Sequence, residues 1–244
     1  MTDASQIDYL LTERVLLGTE LPGKLNPAEA DFCQQYKPVF DVGRLAGRMA
    51  RGYYAHKAAI DIAKDPRADS LIPPATQPGH VVPVGDVHRK GGTGHVYDIR
   101  HYLGHARTDP DMAYDLDRIW LLGSLITVGD ALADLKYLNH SPVLELLYHL
   151  RNGVAHGNTF TFTVGKRKPG LERLNKHPAH NRLAQVRAGD FEITPGLEGN
   201  PVLFDFMGPA DILDVLQSIE IYLTLIRGRH HGGDLPELLK SAKQ

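Results

Sequence analysis

The sequence predicts a mainly α protein, an antiparallel helical bundle that carries a small antiparallel β insertion. Three observations predict it. Stretches at about 111–137, 142–156 and 209–228 place apolar residues at helical spacing. Pro142 and Pro209 open two of these stretches and Gly157 closes one, the punctuation expected of helix ends. Between the second and third, short segments at 159–164, 190–194 and 201–206 have the alternation and turn residues of strands.

Taken in order, the chain begins with a helix from about Ser5 to Gly18, with Ile7, Leu10, Leu11, Val15 and Leu16 on one side. Asn26-Pro27 reads as an N-cap with proline at the first helical position, and Glu29 falls at the capping-box position. The helix that follows, or a helix pair broken near Pro38, runs to about Asp65. Arg44, Arg48 and Arg51 share one of its faces and are expected on a solvated surface. From 66 to 110 the chain is rich in Pro, Gly and His and reads as a long connection, with a hairpin pairing His80–Val84 with His95–Ile99. Lys90-Gly91-Gly92-Thr93-Gly94 lacks the spacing of a phosphate-cradling Walker loop and reads as a hairpin turn.

The stretch 111–137 buries Leu116, Ile119, Trp120, Leu122, Ile126 and Leu132, with Trp120 as packing. Asp130 and Asp134 interrupt its pattern, as surface residues would. In 142–156, Val143, Leu144, Leu146, Leu147, Leu150 and Val154 form the apolar face, and Gly157-Asn158 stops the helix. The last helix buries Ile212, Leu213, Leu216, Ile219, Leu223 and Ile226 and is expected beside the 142–156 helix. These elements divide the chain into a helical region at 1–65, a connection at 66–110, a helical domain at 111–229 with its β insertion at about 159–206, and a loose tail at 230–244.

Composition narrows the function. With 42% hydrophobic residues in 244, the chain can build a real core. Its longest apolar stretch, Ile119 to Val128, is far shorter than the ~20 residues that span a bilayer. No leader of basic then apolar residues is seen. A cytoplasmic protein without membrane contact is therefore expected. The single cysteine, Cys33, permits no internal disulfide and reads as a small buried hydrophobe. His101 and His105 are four apart but lack a third ligand at a recognisable spacing, and His230-His231 reads as a frayed end, so neither metal nor cofactor is expected. A formal net charge of −2 argues against a protein that is basic all over. The tract from Lys166 to Arg187 nevertheless holds seven cations against the single acid Glu172. Lys166, Arg167, Lys168 and Arg173 are its candidate RNA-phosphate contacts. A solvated loop is the alternative reading.

The most specific segment is Arg151-Asn152-Gly153-Val154-Ala155-His156-Gly157-Asn158. It sets a permanent cation and an imidazole at the end of an apolar helix. Asn152 and His156 are four apart and share a face, whereas Arg151 lies about 140° round the helix from His156 and must reach across. The helix dipole favours the imidazolium and the nearby guanidinium opposes it. Small Gly153 and Ala155 leave room for another helix or a second subunit. A planar cationic fork, an amide and an acid/base imidazole suit a phosphodiester.

This segment resembles the signature of the HEPN (higher eukaryotes and prokaryotes nucleotide-binding) superfamily, carried here by Arg151, Asn152 and His156. The resemblance is specific over about eight residues, extends by helix pattern over roughly 111–229, and does not reach the first hundred. It implies a metal-independent endoribonuclease of a toxin or antiviral-defence system, acting on RNA as a homodimer whose site is built from two motif copies. It also implies an antitoxin or regulatory partner. Asp130, on the preceding helix, matches the acidic residue that sometimes orients the Arg/His pair. Where some relatives carry a modifiable tyrosine two residues after the histidine, this chain has Asn158, which argues against silencing by nucleotide transfer. Non-catalytic members leave a second reading open, a module that binds RNA, nucleotide or a partner protein. A motif that serves only as helix scaffold is the third.

Overall fold

Four long helices bring the apolar stripes of the chain into one core. The computed structural model describes residues 27–72, 82–163, 172–187 and 189–229. The expected 5–18 helix, the cap at Asn26, the side chain of Cys33, Lys166, Arg167, Lys168 and the tail from 230 lie outside the described residues.

Helix α1 (Pro27–Lys64) is continuous through Pro38. Pro38 and Gln34, whose carbonyl loses its helical partner, are both exposed, so the unpaired carbonyl is open to solvent and the helix need not break there. Val39, Val42, Ala46, Ala50 and Tyr53 give α1 its buried face. Gly43 and Gly47 admit the C-terminal helix α5 (Pro209–Arg229) to close range, since a Cβ at Gly43 would lie 2.9 Å from Leu223 Cβ. At Gly47 it would fall 1.9 Å from a carboxylate oxygen of Glu220. Arg44, Arg48 and Arg51 are exposed as expected, and Arg51 in addition donates from Nη1 to both oxygens of Glu220 at 3.1 Å. The acid that claims it is 169 residues away, which no local pattern reveals.

The connection after α1 forms a two-stranded antiparallel ribbon, β1 (Val84–His88) and β2 (Gly94–Asp98). The expected second strand agrees to a residue at each end; of the expected first strand His80 and Val81 lie outside the described residues, and the strand seen runs from Val84 on to His88, because the tight turn at 89–93 closes directly on His88 and Gly94. Asp98 then caps α2 (Ile99–Thr108), accepting from the backbone N–H groups of Arg100 and His101. Asp109 caps α3 (Pro110–Asp134) by accepting from Met112 N–H at 2.9 Å. Trp120 packs as expected, its indole N–H donating to Met49 O at 3.1 Å while its ring stacks on His56.

Helix α4 (Pro142–Ala155) carries the motif and is the most deeply buried: Leu144, Leu146, Leu147 and Leu150 are each at most 1% exposed. Gly157 (φ 81°) and Asn158 (φ 65°) turn left-handed and end it, as their residue types predict. The β insertion differs from expectation. Instead of a strand over 159–164, only Thr159 bridges to Pro201, and the following residues, through Thr163, are irregular. Phe160 and Phe162 are buried in the core rather than spaced along a ladder. The sheet that forms pairs β3 (Leu183–Val186), which was not expected, with β4 (Gly189–Glu192), which overlaps the strand expected at 190–194. Residues 201–207 fold back on themselves through Phe204 N–H to Met207 O. Helix α5 touches α4, but its most extensive packing is on α1. No described helix is long and apolar enough to cross a membrane.

Candidate functional site

The site grows from one helical crossing. Gly129 of α3 faces Arg151 of α4, and a Cβ there would lie 2.7 Å from Arg151 Cγ. Without that Cβ, the arginine stem lies flat against α3 and carries its guanidinium to Asp130. Arg151 Nε donates to Asp130 Oδ1 at 2.6 Å, and Nη2 pairs with the same oxygen. Nη1 donates to Asn152 Oδ1 at 3.1 Å. Arg151, Asn152 and Asp130, each a sequence candidate, are thus brought together. A guanidinium has five N–H bonds in a planar fork. Two of them, on Nε and Nη1, are engaged as hydrogen bonds and Nη2 is held by Asp130 as an ion pair, in a side chain that is one-third exposed.

His156 stands at the cap of α4 (φ −102°, ψ 31°) with its side chain exposed. No hydrogen bond ties its imidazole to Arg151 or Asn152 among the described residues. Gly153, expected to leave room for another helix or a second subunit, is approached instead by the 201–207 loop of the same chain: a Cβ there would fall 2.5 Å from Val202 Cγ2. Ala155 remains exposed. Asn158 works as a clip, accepting from Leu203 N–H at 2.9 Å and donating to Leu203 O at 3.2 Å. The clip ties the helix end to the 201–207 loop, where Phe204 (φ 76°) stacks on Tyr114. Arg173 is half-buried and donates to Thr161 O at 3.3 Å, fastening the basic tract to the segment that follows α4.

Two features escape a sequence reading. Gly129 is one, since nothing local shows which glycine faces an arginine. The other is a polar cluster within the core face of α4, made of Glu145 (0% exposed), His149 (2%) and, from the segment before β3, His177 (8%). His149 Nε2 lies 3.8 Å from Glu145 Oε1, and neither Glu145 oxygen nor either His177 nitrogen has a hydrogen-bond partner. Burial pushes His177 below the ordinary histidine range, against the pull of Glu145 and with the help of His149 and Lys176. The Glu-x-x-x-His spacing is its only sequence signal, masked by the leucines around it. Among the described residues no three of His, Cys, Asp or Glu are placed to hold a metal ion.

No protein-family model, curated protein or solved structure matches the chain.

Proposed function

We propose that the chain is a HEPN-type, metal-independent endoribonuclease that cleaves RNA by attack of a ribose 2′-hydroxyl on the adjacent phosphorus. The observation that carries the reading is the Asp130–Arg151–Asn152 network at the end of α4, with a partly exposed guanidinium held in place and an exposed imidazole five residues on. In the reaction, His156 takes the 2′-hydroxyl proton or returns one to the departing 5′-oxygen. Arg151 forks onto the non-bridging oxygens as charge builds on the phosphorane, and Asn152 holds the fork in plane. The oxygen–phosphorus bond to the 5′-oxygen breaks as the 2′-oxygen bonds phosphorus, which leaves a 2′,3′-cyclic phosphate and a 5′-hydroxyl. One motif supplies one histidine. A homodimer that pairs two motifs supplies acid and base together, consistent with a toxin or defence effector held in check by an antitoxin.

Cleavage of single-stranded and structured RNA in EDTA tests this. Arg151→Ala and His156→Ala should each lower the rate at least about a hundredfold, the usual contribution of a positioned acid/base, with melting temperatures near that of the parent. Parent-like cleavage by both variants removes the catalytic assignment. RNA affinity that depends on Arg151 without any cleavage leaves a binding module instead.

A further inference from the structure

The ribbon between α1 and α3 packs little against the helices. Val87 and Val96 are 56% and 42% exposed, and a lone two-stranded ribbon is marginal in water. Its register sets Gly85 opposite Tyr97 and Val87 opposite His95, so these four residues share one face. Gly85 is required there, because a Cβ would fall 2.3 Å from Tyr97 Cζ. The tyrosine ring accordingly lies across the neighbouring strand. It meets Tyr102 of α2 edge-on at 5.8 Å, and Tyr102 meets His101 at 5.0 Å. At the other end Arg89 donates to Gly94 O at 2.8 Å and lies 3.3 Å from His95 Nδ1. A row of rings thus runs from the turn to α2, and His95, His101 and Tyr102 are exposed along it.

The charges beside this row are positive. Asp98 is engaged as a helix cap, while Asp86 lies near His88 on the opposite face of the ribbon. Arg89 and Lys90 at the turn and Arg100 at the base of α2 are all exposed. We propose that this face is a platform for single-stranded RNA, with bases stacked on Tyr97, Tyr102 and His101 and phosphates met by Arg89, Lys90 and Arg100. Aromatic rings interleaved with cations are the surface such strands take, because every base offers a ring face whatever its identity. The inference rests on the RNA reading above and gives its substrate a second point of hold. The platform lies on the ribbon and α2, whereas the motif lies at the end of α4.

Fluorescence anisotropy of the full chain with a labelled 2′-O-methyl RNA of about 20 nucleotides, which cannot be cleaved, tests the platform, together with cleavage kinetics on the unmodified strand. His101→Ala/Tyr102→Ala should weaken binding roughly tenfold or more, and Tyr102→Phe, which keeps the ring, should not. Arg89→Glu/Lys90→Glu should weaken it and flatten its salt dependence. In cleavage, KM rises on the long strand while kcat is unchanged. Parent-like affinity in both double variants overturns the platform and leaves the proposed reaction standing. Platform-dependent binding without cleavage supports the platform and removes the reaction. Absence of RNA binding by the parent chain removes both. A change of oligomeric state in the double variants with RNA affinity intact makes the face a protein contact and overturns the proposal.

Discussion

Replacing Gly47 with alanine sets two effects of opposite sign against each other. In a helix interior alanine is favoured over glycine by about 0.8–1.0 kcal/mol. Here the new methyl would sit 1.9 Å from the Glu220 carboxyl carbon and 2.0 Å from its second oxygen. Glu220 has 5% of its side chain exposed and two bonds from Arg51 to keep, so it cannot swing away without breaking them. Overpacking of this kind costs about 1–3 kcal/mol, and disturbing a hydrogen bond to a charged group about 1.5–3 kcal/mol more. The net is a loss of roughly 1.5–5 kcal/mol after the propensity gain, a fall of several degrees or more in Tm at this chain length. In a Glu220→Ala background the obstacle is gone, and the same Gly47→Ala change should stabilise by about 0.8–1.0 kcal/mol. Urea unfolding of the four members of the cycle measures both numbers. Equal effects in the two backgrounds, or stabilisation in the parent, would refute the reasoning.

Three further outcomes are expected. Because burial holds His177 below the histidine reference of about 6.5, the unfolded chain binds its proton more readily; stability is full above that pH and declines as pH falls below it. Thermal melts from pH 8 to 5 should show a shallower decline in His177→Asn, and matching slopes would sink the idea. Asn158→Gly should lose only the two bonds to Leu203, whereas Asn158→Ala also meets the strain of φ 65° and melts lower by roughly 1–2 kcal/mol. Denaturant midpoints decide, and equal values would show that the left-handed backbone is not the constraint. Asp130→Asn should leave stability within about 1 kcal/mol, as the pair is partly exposed. By loosening Arg151 it should lower RNA cleavage; unchanged cleavage would remove Asp130 from the site.

What the sequence made legible follows the range of each interaction. The end of α4 is written in Gly157 and Asn158, whose backbone freedom is their own, and its apolar face in leucines three and four apart. Arg151 with Asn152 was visible for the same reason, being adjacent. The Arg51–Glu220 pair and the Gly129 clearance were not, since each depends on which helix crosses which and at what height. The strand reading of 159–164 failed because alternating Phe160 and Phe162 look alike in a ladder or an irregular segment buried in the core. β3 was missed because four residues between cations and a turn carry almost no period.

The contact of Arg151 with Gly129 also bears on how site assembly is divided. An arginine side chain carries about 2 kcal/mol of rotamer entropy, and here most of that freedom is lost on folding, with the stem against α3 and the guanidinium held by two hydrogen bonds and an ion pair. An arriving phosphate meets a cation that needs no further ordering. His156 is the opposite case, exposed and untied, so the entropy of fixing the imidazole falls on the bound state. Affinity for the phosphate and the rate of proton transfer are therefore set by different residues, and a change that immobilises His156 should raise turnover while leaving affinity where Arg151 has already put it.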